Sequence, residues 1–396
     1  MRILLVSQEY PPETGWGGIG TYTWMLGQGL RELGHEVHVL SVTPNTPATD
    51  EMRDGVIVHR RPLRRVRGLG RLTKMPRTVE QLVLSYVVFR AFRRLHFRHP
   101  FDVVEFPNWK AEAFFFLRRR PVASTMRLHS MAFQLFQHMG MSKRDARWAQ
   151  WMEEDTVRRV DVAHAPQLHL RSVAARLGLD PRWTREIPAP VQLVEDPGPA
   201  SFDPPRILFA GRFEPRKNPE VVIRAAPKVL ARFPSVRFVF VGRDGASGGH
   251  DSYLDWMRSI AEKLGVSNSI EIIDGWQEDA VRLEMPKAAV VVVPSRSESF
   301  GYVAAEAASY SRAVVASRVD GLSQLVEVGI TGNLAAPEDP DEWSAALIDM
   351  VEDPKGTIAM GANGRRFVES NLTPPVIAAL ISEACEAAKV RHASRT

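Results

Sequence analysis

The chain has a single cysteine, Cys385, in 396 residues. One thiol excludes an intrachain disulfide framework and a cysteine-based zinc site, and it fits a reducing compartment. No stretch approaches the ~20 consecutive apolar residues of a membrane span. The run Arg2–Val6 is too short for a signal-peptide core and reads instead as a first strand. A cytoplasmic protein is expected, at most peripheral to a membrane. The dinucleotide fingerprint, G-x-G-x-x-G directly after a strand, is also missing, which argues against a nicotinamide oxidoreductase. No recognition-helix, zinc-finger or RNA-binding signature accompanies the net charge of +5, so nucleic acid is not an expected partner. Internal repeats are absent too.

Apolar content of 44% and charged content of 24% are ordinary for a globular protein. The length suits two domains, each with its own core. Basic residues are unevenly placed. The stretch 60–77 carries eight of them and no acidic residue, and Arg90, Arg93, Arg94, Arg98 and Arg118–Arg120 extend the bias. Such a surface suits an acidic acceptor or anionic lipid headgroups.

Both halves alternate strands with helices, which predicts parallel sheets covered on both faces. Expected strands in the first half are Arg2–Ser7, Glu36–Val42, Val56–Arg60, Asp102–Phe106 and Val122–Leu128. Expected helices there are Gly18–Leu33, Thr78–Phe97 and Gln150–Val160. The Pro-rich stretch Glu186–Pro205 reads as a linker. A second series follows, with strands Arg206–Ala210, Val236–Gly242, Ile270–Asp274, Val290–Val293 and Ala313–Ser317. Ligands of such sheets bind in loops at the carboxyl ends of strands, so those loops supply the candidate residues.

After Val290–Val293 comes a polar loop with Glu298, then Gly301 and an Ala-rich helix bearing Glu306. The two carboxylates are eight residues apart, at most ~12 Å of helical rise, about the span from a sugar to a ribose across a diphosphate. The helix start between them favours phosphate. After Arg206–Ala210, Arg212 and Lys217 flank a turn, and an Arg fork with a Lys point charge makes a workable diphosphate pair. His129 ends the strand Val122–Leu128. Glu105 and Asn108 end the preceding strand and are candidates for the acceptor side. Gly17 and Gly18 open a helix where backbone can approach a phosphate. Gly275 lies in a loop expected to flank a nucleobase. Asp339-Pro340-Asp341 has the spacing of a metal motif but directly precedes a helix, and N-capping accounts for it better.

The string Glu298-x7-Glu306, together with Gly211-Arg212-x4-Lys217, resembles the motifs of retaining glycosyltransferases of family 4. The resemblance implies the GT-B fold: an α/β chain of two Rossmann-like parallel-sheet domains facing a central cleft, with a C-terminal helix crossing back to the first domain. Mapped onto this chain it implies an acceptor-binding domain over 1–192, a linker over 193–205, a nucleotide-sugar domain over 206–372 and the returning helix over 373–396. It also implies site roles. Glu298 would hold the donor sugar, with Ser299, Phe300, Gly301, Tyr302 and Val303 around the donor. Glu306 would hold the ribose, His129 would contact the donor sugar, Gly17 and Gly18 would close over the diphosphate, and Arg212 and Lys217 would stabilise the leaving group. The implied substrates are a UDP or GDP sugar and a hydroxyl-bearing acceptor, with no metal and no cofactor. The alternatives are a nucleotide-sugar 2-epimerase of the same fold and a non-catalytic sugar-nucleotide-binding partner subunit.

Overall fold

The structure, a computed structural model, describes residues 1–11, 18–44, 46–63, 74–129, 131–135, 142–245, 252–274 and 278–395. It divides into two compact units, Met1–Pro190 with Pro374–Thr396, and Val191–Thr373.

The first unit is built on eight strands: β1 (Arg2–Val6), β2 (Glu36–Thr43), β3 (Thr49–Arg53), β4 (Val56–Pro62), β5 (Val103–Pro107), β6 (Ala123–Arg127), β7 (Val162–Ala165) and β8 (Thr184–Glu186). Their order is β3-β4-β2-β1-β5-β6-β7-β8. All pairings are parallel except β3 on β4. The chain winds outward from β1 through β2 to one edge and returns to β5 on the other side of β1. The carboxyl ends of β1 and β5 therefore flank the point where the winding reverses, where sheets of this kind leave a crevice.

The second unit repeats the plan with six strands: β9 (Arg206–Ala210), β10 (Arg237–Gly242), β11 (Ile270–Asp274), β12 (Val290–Val293), β13 (Ala313–Ser317) and β14 (Gly332–Ala335), in the order β11-β10-β9-β12-β13-β14. Every pairing is parallel. The reversal lies between β9 and β12, in register from Val290 opposite Ile207 to Val292 opposite Phe209. These strands are almost wholly apolar because both faces are covered. Ile207, Phe209, Phe238 and Phe240 share a core with the helix Pro219–Arg232, while Leu208, Val239, Val291 and Val293 share another with Ala304 and Ala307.

The strands expected from sequence are present to within two residues at either end, and four more join them: β3, β7, β8 and β14. The expected helix over 150–160 starts earlier, at Lys143, where the Ser142 hydroxyl accepts from the Asp145 amide and caps it. Asp339 caps the helix Pro340–Glu352, its carboxylate accepting from the amides of Asp341 and Glu342. Among the described residues no helix is long and apolar enough to cross a membrane.

The C-terminal helix Pro374–Ala393 belongs to the first unit. It packs on the helix Gly18–Glu32 so closely that a Cβ on Gly29 would lie 2.2 Å from the carbonyl oxygen of Pro374 and 3.0 Å from the Ala378 methyl. Two effects of opposite sign meet at this position. Alanine gains ~1 kcal/mol over glycine in a helix interior, whereas forcing a methyl into a filled contact costs about 1–3 kcal/mol. With backbone as the obstacle, overpacking is expected to win, so Gly29→Ala lowers the thermal midpoint. A midpoint that rises would mean that the two helices do not meet at this distance.

Candidate active site

In the second unit the reversal brings together two loops that are far apart in sequence. The loop after β9 is fixed by Phe213, which is fully buried and pairs through its backbone with the loop after β10: its amide donates to the Arg243 carbonyl at 2.8 Å, and its carbonyl accepts from the Gly245 amide at 2.9 Å. A Cβ on Gly242 would sit 1.8 Å from the Gly211 carbonyl oxygen, so the approach of the two strand ends requires glycine there. Asn218 then takes a left-handed conformation, φ 53°, and donates to the Pro337 carbonyl at 2.7 Å before Pro219 opens its helix. The loop after β12 is tied to the first by the Arg296 amide, which donates to the Arg216 carbonyl at 2.9 Å.

This junction places Glu298 against Lys217. The Lys217 ammonium donates to Glu298 Oε1, the Ser295 hydroxyl donates to the same oxygen at 2.9 Å, and Arg216 Nη1 lies 3.8 Å from Oε2. The Glu298 side chain is only 12% exposed. Burial alone would raise its pKa, but the charges of Lys217 and Arg216 outweigh that and hold it below the ordinary carboxylate value. Glu214 balances the remaining cations, 2.9 Å from Arg216 and 3.3 Å from Arg212. Three cations thus face two carboxylates. The Arg212 side chain, 61% exposed, is the one that reaches furthest into solvent.

Beyond Glu298 the chain turns at Gly301, whose φ of 96° is strained for any side chain, and its carbonyl accepts from the amides of Ala304 and Ala305. The helix Tyr302–Ser309 follows, and Glu306 lies one turn into it, half-buried. Phe300 is buried and meets Tyr302 edge-to-face at 5.2 Å, so it anchors the loop. Ser299, Tyr302 and Val303 are half-buried around it. A Cβ on Gly321 would fall 2.3 Å from the Glu298 carbonyl oxygen, so the short helix Asp320–Ser323 backs the loop directly.

The first unit has its own cluster beyond β5 and β6. The His129 amide donates to Asn108 Oδ1 at 2.6 Å, and the His129 carbonyl accepts from His169 Nε2 at 2.8 Å. Arg127 Nη2 is 2.7 Å from His129 Nδ1. A guanidinium only donates, so Nδ1 accepts and the ring proton sits on Nε2. Desolvation, and then the Arg127 charge, hold the His129 pKa well below its ordinary value, so the ring is neutral and Nε2–H is a donor. Arg127 lies over the Tyr22 ring at 3.1 Å, and the Tyr22 hydroxyl donates to Glu105 at 3.2 Å. Tyr22, Glu105, Arg127 and His129 line one recess.

The structure therefore gathers Arg212, Lys217, Glu298 and Gly301 at one junction and His129 with Glu105 at another. Asn108 does not face outward: it is fully buried, and its amide donates to Glu153, whose carboxyl burial pushes up to about 8. Its place is beneath His129, as a support. Gly18 is the first residue of its helix and exposed, while Gly17 and Gly275 lie outside the described residues. Arg216, Glu214 and Arg127 were missed by sequence reasoning. The signal for Arg216 was its position beside Lys217 in the same short loop. Among the described residues one group of side chains is spaced to hold a metal, Glu36, His38 and His99, and it sits at the amino ends of β2 and β5, opposite the ligand loops.

Two family models match the chain. "Glycosyl transferase 4-like domain" covers residues 17–190, and "Glycosyl transferases group 1" covers residues 196–367. The D-inositol 3-phosphate glycosyltransferase of Rhodococcus opacus is 33% identical over 198 residues, 50% of this chain and 39% of that protein. The enzyme of the same name from Nocardiopsis dassonvillei is 38% identical over 160 residues, 39% of this chain and 37% of its own. The matches thus span less than two-fifths of these relatives' length. Among solved structures, sucrose-phosphate synthase from Thermosynechococcus elongatus has a TM-score of 0.76 at 22% identity, covering 96% of this chain and 97% of its own. HepE of Anabaena in complex with UDP and glucose has a TM-score of 0.69 at 19% identity, covering 98% and 99%. At such identities the likeness is one of fold.

The ionised Glu298 has a pH signature. Its folded pKa lies below the unfolded value, so it contributes stability that is complete above the ordinary value of 4.5 and lost as pH falls through the lowered one. Glu298→Gln leaves Lys217 without its carboxylate and is expected to cost about 1–3 kcal/mol at neutral pH. Urea titrations of both proteins from neutral pH down to about pH 3 should show the gap closing in that acid window. A gap that stays constant would mean that Glu298 is not held ionised by these partners.

Proposed function

The chain belongs to the group 1 glycosyltransferases of family 4 type, and from that premise we propose that it is a retaining hexosyltransferase moving a sugar from a UDP or GDP sugar to a hydroxyl acceptor without a metal. The observation that carries the reading is the contact between Lys217 and Glu298, which joins the two motifs, 81 residues apart, in one charged junction.

Transfer breaks the bond from the sugar's anomeric carbon to the phosphate oxygen while the acceptor oxygen bonds to that carbon through an oxocarbenium-like state. Negative charge grows on the departing diphosphate, and fixed cations aimed at it lower the barrier. Arg212 and Lys217 take that role, together with the amides at the start of the helix Tyr302–Ser309. Arg212, whose side chain reaches furthest into solvent, is the cation most open to a diphosphate. Glu298, fixed on one side by Lys217, accepts from sugar hydroxyls, and Glu306 accepts from the ribose. His129 offers its Nε2 proton to a sugar hydroxyl. The acceptor proton passes to the leaving phosphate oxygen on the same face, which retains configuration. Glu105 and Tyr22 lie on the acceptor side. HepE structures with UDP-glucose and a trehalose-6-phosphate structure from E. coli bound with UDP-2-fluoro glucose favour UDP among the donors. The inositol phosphate relatives favour a small polyhydroxylated acceptor.

A thermal-shift panel of UDP, GDP, ADP and their sugar conjugates tests this. A ligand present at ~100 times its Kd stabilises the native state by about 2.7 kcal/mol, so one nucleotide should stand out, and the shift should fade in Arg212→Ala and Glu306→Ala. If no nucleotide shifts the protein, or both variants respond like wild type, the reading fails. Turnover with the responding donor should be unchanged by EDTA. Loss of turnover that magnesium restores would overturn the metal-free mechanism.

A further inference from the structure

The first unit carries a second surface, made by residues outside the candidate site. Along the helix Pro76–Arg98, Tyr86, Arg90, Arg93 and Phe97 recur at helical spacing and form one stripe. Tyr86 is 49% exposed and Phe97 is 90% exposed. Along the helix Lys143–Arg159, Arg144, Arg147, Trp148 and Trp151 form a second stripe, with Trp148 47% and Trp151 43% exposed. The short helix Phe114–Arg119 joins them. A chain of ring contacts runs from Tyr86 to Phe115 (5.9 Å), to Phe114 (5.6 Å), to Trp151 (5.9 Å) and to Trp148 (5.6 Å). The two stripes are therefore parts of one face.

The cations on this face differ from their neighbours. Arg158 and Arg159, on the same helix, pair with Glu154 and Asp155. Arg90, Arg93, Arg94 and Arg98 on the first helix, and Lys143, Arg144 and Arg147 on the second, are exposed and have no carboxylate partner among the described residues. Exposed rings beside unneutralised cations are the composition of a surface that meets an anionic lipid interface.

We propose that this face of the first unit docks on an anionic lipid bilayer, with Trp148, Trp151, Tyr86 and Phe97 entering the headgroup layer and the cations beside them meeting lipid phosphates. A second copy of the chain does not fit, because two such faces would set like charges against each other. Single-stranded nucleic acid fits less well, because base stacking needs open ring faces. Arg90 lies over Tyr86 at 5.9 Å, and Arg118 lies over Phe114 at 3.4 Å and Trp151 at 5.7 Å. The proposal stands apart from the transfer reading, since none of these residues belongs to either cluster of the candidate site.

Cosedimentation of the full chain with vesicles tests it. Phosphatidylcholine vesicles with about 30% phosphatidylglycerol should bind at least tenfold more tightly than phosphatidylcholine alone, and about 0.5 M salt should remove most of that difference. Arg93→Glu with Arg144→Glu should weaken binding by about 25-fold or more, taking about fivefold for each cation removed. Phe97→Ser should weaken binding to anionic vesicles without changing its salt dependence. All of these positions are exposed, so the variants should keep the wild-type thermal midpoint and any nucleotide-induced shift, and this separates failure of the surface from failure of the transfer reading. Equal binding to neutral and anionic vesicles, no binding to either, or wild-type binding by the charge-reversed variant would each overturn the proposal. Tighter binding to single-stranded RNA than to anionic vesicles would overturn it in favour of a nucleic acid partner.

Discussion

The ion pair between Glu298 and Lys217 is the constraint on which the second unit's site depends. A carboxylate 12% exposed would ordinarily lose its charge to desolvation, and here two cations and a serine hydroxyl keep it ionised. That arrangement needs the loops after β9 and β12 side by side, which in turn needs β9 and β12 to be neighbours although two strands intervene between them in sequence. Once the topology supplies this, close backbone approaches lock it: Gly242 against Gly211 on one side and Gly321 against the Glu298 carbonyl on the other. The buried rings of Phe213 and Phe300 hold the loops from below. Polar side chains at the surface of the junction are thus positioned by apolar ones beneath them.

Much of this was legible in the sequence because it follows from local pattern. The runs Arg206–Ala210 and Val290–Val293 are too short and too apolar to be anything but buried parallel strands, and the motif residues follow them directly. The elements that escaped detection lack that signal. β3 is an exposed edge strand, Thr-Asp-Glu-Met-Arg, with no buried residue to mark it. β7, β8 and β14 are three or four residues long and take their pairing from neighbours already in place. The first half of the helix Lys143–Arg159 is charged, and its start is marked by the Ser142 cap rather than by an apolar period.

The site was less legible than the fold, for a reason that Asn108 makes plain. Residue type and position at a strand end suggested a ligand contact for it, but no pattern along the chain shows which way a side chain points. Asn108 turns inward because the His129 amide and Glu153 both need a partner in a region closed to water, and an amide side chain serves both at once. Arg216 shows the converse. Within Glu-Pro-Arg-Lys only its place beside Lys217 marks it, and its contact with Glu298 appears only when the loop after β12 arrives.

The two clusters differ in electrical character, and that difference bears on what each can hold. In the second unit Arg212 extends toward solvent, which suits an anion. In the first unit Arg127 lies over the Tyr22 ring and donates to His129. That donation has two consequences for the imidazole. It fixes the proton on Nε2, and it makes a second proton on Nδ1 unfavourable, so the ring presents a neutral donor whatever the ordinary pH. With the Tyr22 hydroxyl turned to Glu105, the recess offers hydrogen-bonding groups. The first unit's cluster thus presents hydrogen-bonding groups ordered by Arg127 and Glu105, while the second unit's junction presents a cation that reaches solvent.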